Sequence, residues 1–170
     1  MNNSNKIFLI FGLTNGNFNI LNYEKKIDLY YKLHESGIND VKIINGIKTN
    51  IFNIISSGED CSIGISELDL NDDNLKLSLI KKIRNLHFSA IKSISLEKID
   101  ENNYFIISGS YDQLLNVCKF NRENYEFKKI KKIECVVSEI NSISSSLIEY
   151  NKEIVTCIGG QGIELIKINL

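Results

Sequence analysis

Two stretches decide how this chain is read: IISSGEDCSIGISEL at residues 54–68 and FIISGSYDQLLNVCKF at residues 105–120. Each is an isoleucine-rich run that breaks at a serine- and glycine-rich turn carrying an aspartate, Asp60 or Asp112, and then resumes as an apolar strand. A histidine stands upstream of each aspartate, His34 by 26 residues and His87 by 25. The chain has no other histidine, so both fall at the same point of a repeat.

Working outward, two weaker copies flank the strong ones. IFLIFGLTNGNFNI at 7–20 carries Asn15 where the others have aspartate, and IVTCIGGQGIELIKI at 154–168 carries Gln161-Gly162. Asn15-Gly16 is a strong hairpin signal, because the central positions of the tightest hairpin turns favour positive φ. A period of about 45–52 residues marks an array, and about 40–45 residues with four strands per unit is a β-propeller blade. The expected strands are 38–44, 51–57, 61–68 and 77–83 in the first full unit, and 90–96, 103–109, 113–120 and 125–133 in the second. The last unit supplies 140–147, 153–158 and 162–168. Alternation in INSISSSL, CSIGI and GIELIKI predicts one buried face, and β-branched isoleucine suits a pleated surface.

The fold class is therefore all-β: a single partial propeller segment of about three and a half four-stranded blades. The blades fall at approximately 6–31, 34–84, 87–133 and 136–169. Propellers close with typically four to eight blades, and an open array leaves a long strand edge unpaired. Another chain, or a missing segment of a longer protein, is thus expected to complete the ring.

Composition narrows the function. Of 170 residues, 43% are hydrophobic and 24% charged, as in ordinary globular domains. There are 30 Ile, 22 Asn and 18 Lys against 2 Arg, with no Pro or Trp, the skew of a coding sequence rich in A and T. Scattered lysines therefore say little about nucleic acid, and a net charge of −1 lacks the basic excess of a dedicated binder. Cys61, Cys118, Cys135 and Cys157 make no metal-ligand spacing and read as free thiols of a reducing compartment. IFLIFG is too short to span a membrane or act as a signal segment, so a cytoplasmic or nuclear location is expected. No strand–Gly-rich-loop–helix unit for a nucleotide cofactor is readable, and no cofactor is expected.

His34, Ser56 and Asp60, and again His87, Ser108 and Asp112, have the residue types of a nucleophile, a general base and its orienter. Two features argue for a structural role instead. The trio occurs twice at equivalent positions, whereas an enzyme needs one site, and neither serine sits in a GxSxG elbow.

With those residues in view, the chain resembles the WD40-repeat family, whose blades place a histidine before the first strand, a serine or threonine in the second, and an aspartate in the next turn. The resemblance implies that His34, Ser56 and Asp60 form one hydrogen-bonded set and His87, Ser108 and Asp112 another. The family's third-strand tryptophan is replaced by Ser66 and Cys118. More closely, HESGINDV, SSGEDCSIGI, SGSYDQ and GGQGIEL resemble the last propeller of the WD-repeat accessory subunits of FtsJ-type tRNA 2′-O-methyltransferases. That resemblance implies a non-catalytic role in tRNA processing. The partner methyltransferase would supply the active site and S-adenosylmethionine, while the propeller protein holds tRNA so that the ribose of the first anticodon nucleotide is reached. Those relatives are longer, and this chain would match their C-terminal part. The alternative is a generic WD-repeat adaptor for protein–protein contact.

Candidate contacts are spread over rim and loops. Lys-Lys-Ile recurs at Lys25-Lys26-Ile27, Lys81-Lys82-Ile83, Lys128-Lys129-Ile130 and Lys131-Lys132-Ile133, each in an expected outermost strand. Such a row could follow a phosphate backbone by counterion release. It could equally be a solvated edge in which lysine blocks strand pairing. The loops near Glu35, Ser36, Phe88 and Ser89, and the turn 159–162, are further contact surfaces.

Overall fold

The computed structural model describes residues 7–23, 27–71, 75–148 and 153–169. Among these the chain is all-β, with fourteen strands in four antiparallel sheets taken in chain order. No helix of the described residues is long and apolar enough to cross a membrane. The first sheet is β1 (Phe8–Gly12), β2 (Asn17–Asn22) and β3 (Ile27–Lys32). The second is β4 (Ile38–Asn45), β5 (Ile51–Gly58), β6 (Ile63–Asp69) and β7 (Lys76–Ile83). The third is β8 (Ile91–Lys98), β9 (Asn103–Ser110), β10 (Leu114–Asn121) and β11 (Phe127–Glu134). The fourth is β12 (Ser142–Ile148), β13 (Glu153–Gly160) and β14 (Gly162–Asn169).

Several strands begin later than their apolar patterns predict. Cys61 (φ 58°), Gln113 (φ 62°) and Tyr125 (φ 58°) take left-handed backbone conformations just ahead of β6, β10 and β11. A strand cannot run through such a residue, so the pattern and the ladder part company there. The tight turns differ from the Asn-Gly expectation for the same reason. Gly16, Cys61 and Gln113 are left-handed, while Asn15, Asp60 and Asp112 are not. The three turns share one bond, from the left-handed residue's N–H to the carbonyl three residues back: Gly16 to Leu13 (3.0 Å), Cys61 to Gly58 (3.3 Å) and Gln113 to Ser110 (3.2 Å). This is a type I turn closed by a left-handed residue, the usual build of the longer hairpin loops.

Apolar side chains on facing sheets merge into three clusters. Phe18 and Ile20 of the first sheet meet Ile54, Leu68 and Leu77 of the second. Ile63 and Ile65 meet Ile94, Ile106 and Phe120 of the third. Leu115 and Val117 meet Ile154, Ile158 and Ile168 of the fourth. The second and third sheets are thus covered on both faces, and β5 and β9 are buried along nearly their whole length rather than at alternate residues.

The first strands of the later sheets, β4, β8 and β12, lie beside one another. Side chains join them. Asp40 Oδ2 accepts from the Ile94 N–H at 2.9 Å and from the Ser93 hydroxyl at 3.1 Å. Ser93 Oγ accepts from Ile143 N–H (3.1 Å), Ser95 Oγ from Ser145 N–H (3.3 Å) and Glu97 Oε2 from Leu147 N–H (3.1 Å). Alternate residues of β8 thus satisfy alternate amides on the open edge of β12, the spacing that a pleated strand provides. The outer strands carry a bulge at one shared position. Ile80 on β7 and Ile130 on β11 are skipped by the ladders. Bulges and lysines are both ways of blunting an exposed edge.

Candidate functional site

His34 arrives on the segment just before β4, Ser56 lies on β5, and Asp60 occupies the turn into β6. The Nδ1 atom of His34 is 2.9 Å from Asp60 Oδ1, and Nε2 is 2.8 Å from Ser56 Oγ. An ionised carboxylate only accepts, so Nδ1 carries the proton and Nε2 accepts from the Ser56 hydroxyl. Asp60 accepts further from the Ser62 hydroxyl (2.6 Å), Ser62 N–H (3.2 Å) and Glu35 N–H (2.9 Å). Lys82 Nζ completes the cage 2.8 Å from Asp60 Oδ2.

The second set repeats this geometry one sheet later. His87 Nδ1 lies 3.1 Å from Asp112 Oδ1, and Nε2 lies 2.8 Å from Ser108 Oγ. Asp112 also accepts from Phe88 N–H (2.8 Å) and Leu114 N–H (3.1 Å). The structure therefore brings together both predicted trios within their own sheets.

Electrostatics suit a neutral, buried imidazole. Burial holds both histidines below their ordinary value of 6.5, with the neighbouring aspartates pulling the other way. At Asp60 burial alone would raise the pKa. The hydrogen bonds from Lys82, Ser62, His34 and the Glu35 amide outweigh it and hold the carboxyl well below the usual carboxylate range. Ser56 and Ser108 are fully buried, as are both histidines. The hydroxyl–imidazole–carboxylate order matches that of a hydrolytic triad. Both hydroxyls are packed inside the sheet stack, with no exposed surface.

Three further members escape a reading by residue type. Ser62 bridges its aspartate and histidine in the first set. Asn116, paired with Ser108 on the ladder, donates to the Leu86 carbonyl at 2.8 Å and lies 3.0 Å from His87 Nε2. The equivalent rung of the second sheet pairs Ser56 with Gly64. In the fourth sheet the same rung carries Glu164, opposite Ile158. There the histidine position holds Val136, 89% exposed, and Glu164 Oε2 accepts from the amides of Val136 (2.8 Å) and Val137 (3.3 Å). One carboxylate, three residues after Gln161, thus holds the segment at which the second and third sheets place a histidine. The paired ladders reveal what they share: Asn19, Gly64, Asn116 and Glu164 all occupy this rung. Among the described residues the Asn15 side chain serves the turn, accepting from Asn17 N–H at 3.0 Å.

The lysines do not form one open row. Lys82 turns inward to Asp60, and Lys81 donates to the Tyr125 carbonyl (3.4 Å) of the next sheet. Lys131 likewise donates to the Asn169 carbonyl (3.2 Å). Lys132 Nζ sits 5.8 Å from the centre of the Phe88 ring, and Lys128 and Lys129 are exposed. Lys25 and Lys26 lie outside the described residues. A cleft of about 450 Å³ opens between Ile51, Glu67, Arg122 and Tyr125. Three of its polar groups are engaged within the chain: the Tyr125 hydroxyl donates to Glu67 (2.5 Å), and Arg122 donates to the Asn45 carbonyl (2.6 Å).

The chain matches no protein-family model and no curated protein.

Proposed function

We propose that this chain is a non-catalytic scaffold of the WD-repeat kind, its four sheets being blades of a β-propeller. In this reading it is an accessory subunit for 2′-O-ribose methylation of the tRNA anticodon loop by an FtsJ-type methyltransferase. The observation that carries the scaffold reading is the duplicated His–Asp–Ser set, consumed inside the second and third sheets at equivalent positions. Such a set rigidifies a blade and leaves its loops free to meet partners. The lateral contact of β4, β8 and β12 supports a radial arrangement. The tRNA part rests on the resemblance of GGQGIEL and SGSYDQ to the accessory subunits, and on the exposed lysines of β11.

A second reading, a protein–protein adaptor, draws on Lys81, Lys82 and Lys131. Their ammonium groups are engaged within the chain rather than presented to a phosphate backbone.

One experiment separates the two. The tagged chain is purified from its own cells, copurifying proteins are identified by mass spectrometry, and ribose methylation at the first anticodon nucleotide is measured in cells lacking it. Recovery of an FtsJ-type methyltransferase with loss of that methylation is the expected result. Intact methylation in the deletion cells would overturn the tRNA reading and leave the adaptor.

A further inference from the structure

The four sheets share one register, and it identifies two surfaces built as interior. On the strand after each tight turn, two alternate residues face the following sheet: Phe18 and Ile20 on β2, Ile63 and Ile65 on β6, Leu115 and Val117 on β10. All six are 0% exposed. Their counterparts on β14 are Ile163 and Leu165. Gly159 pairs with Ile163 as Gly109 pairs with Leu115, and Cys157 pairs with Leu165 as Ile107 pairs with Val117. Yet Ile163 is 83% exposed and Leu165 71%.

The opposite end mirrors this. Leu9 on β1 holds the position of Ile54 and Ile106, three residues before the last rung ahead of the tight turn. Ile54 and Ile106 are 0% exposed, whereas Leu9 is 39% exposed, and beside it Phe11 is 46% and Tyr30 58% exposed. The chain thus presents, at its two ends, the two halves of an interface that it makes three times internally.

We propose that a second copy of this chain covers the fourth sheet with its own first sheet, head to tail, so that two copies close eight sheets into a ring. Head-to-tail contacts form closed rings when the rotation between copies closes, and eight blades lie within the usual propeller range. A net charge of −1 per copy opposes the association little. This rests on the reading of the sheets as blades and not on any RNA or methyltransferase partner, so loss of the tRNA reading leaves it intact.

The test is the oligomeric state of the purified chain by light scattering, with Cys157 as a reporter, since its exposed thiol lies on the fourth-sheet face. The expected wild type has twice the chain mass, and Cys157 reacts several-fold more slowly with a maleimide at high protein concentration than after dilution. Leu165→Lys and Phe11→Lys alter exposed side chains at opposite ends, and each is expected to give a monomer with an unchanged far-ultraviolet circular dichroism spectrum. Mixing the two variants should restore a species of twice the mass, because one undamaged tail then meets one undamaged head. A wild-type monomer with freely reactive Cys157 would overturn the proposal. So would a dimer that Leu165→Lys breaks and Phe11→Lys leaves whole, since that contact would pair like faces.

Discussion

Asn116 and Gly64 stand on the same rung of neighbouring sheets, and only the asparagine has room for a side chain beside its histidine. A Cβ at Gly64 would come within 2.8 Å of Ser56 Oγ and 3.2 Å of His34 Nε2. Gly64→Ala is therefore expected to push Ser56 off its histidine and destabilise the fold by roughly 1–3 kcal/mol, as overpacked cores do. Urea unfolding followed by circular dichroism measures this. An unchanged midpoint would show that the second sheet yields more than its geometry implies.

The serine partners should not be equal. Ser56→Ala leaves His34 Nε2 with no donor among the contacts described, a cost of about 1–3 kcal/mol for a buried unsatisfied group. Ser108→Ala leaves the Asn116 amide 3.0 Å from His87 Nε2, and its cost should be smaller, about 1 kcal/mol. The double variant Ser108→Ala, Asn116→Ala should recover the larger penalty. Equal single-variant costs would remove Asn116 from the set.

Stability should fall on mild acidification. Both imidazoles are held below their ordinary 6.5 by burial, so the unfolded chain takes up protons first as pH drops. By linkage, the folded state is at full strength above 6.5 and loses ground as pH falls from there through the folded values. Asp60, held low, adds a second loss only under stronger acid, below its ordinary 3.8. Unfolding free energies at pH 7.5, 6.5 and 5.5 check the first phase. A variant with both histidines replaced by glutamine should be less stable at neutral pH but flatter across that range.

Lys82 and Lys132 share a rung position, opposite Gly64 and Asn116, yet they should behave differently. Lys82 is mostly buried against Asp60, and Lys82→Met strips a partner from a nearly buried carboxylate. Breaking such a pair costs up to about 3–5 kcal/mol, and the partial exposure of Lys82 places this one lower. Lys132 lies over an exposed ring, and Lys132→Met should change stability by less than about 1 kcal/mol. Parallel thermal melts distinguish the two. Tight, salt-sensitive tRNA binding lost only in Lys132→Met would assign the exposed lysine to RNA contact.

Much of the architecture was legible in the residues. The histidine-to-aspartate spacing located both trios, and isoleucine runs located the strands, because an antiparallel stack buries β-branched side chains in pairs. What stayed hidden depends on register. Nothing in the letters Gly64, Asn116 and Glu164 marks them as occupants of one rung until the ladders are paired. Glu164 substitutes for a histidine set because its turn is shorter, which brings its carboxylate to the amides of Val136 and Val137. Lys82 looks like its neighbours in the Lys-Lys-Ile repeats. Past equivalent bulges at Ile80 and Ile130, Lys82 meets Asp60 while Lys132 lies over the Phe88 ring. Asn15-Gly16 suggested a turn with two left-handed residues. The longer loop needs only Gly16 to be one.

The β12 amides of Ile143, Ser145 and Leu147 donate to Ser93, Ser95 and Glu97 of β8, and of the β12 side chains the Ser145 hydroxyl adds bonds to Ser95 (2.6 Å) and Glu97 (2.8 Å). Apart from Ser145, β12 can accordingly accumulate substitutions over evolutionary time without loosening its attachment, provided that none of positions 143, 145 and 147 becomes proline. The accepting strand β8 and the donating strand β12 are then under unequal selective constraint. An array joined in this way can vary its signature letters copy by copy, as the last unit does in having no histidine, and still stand.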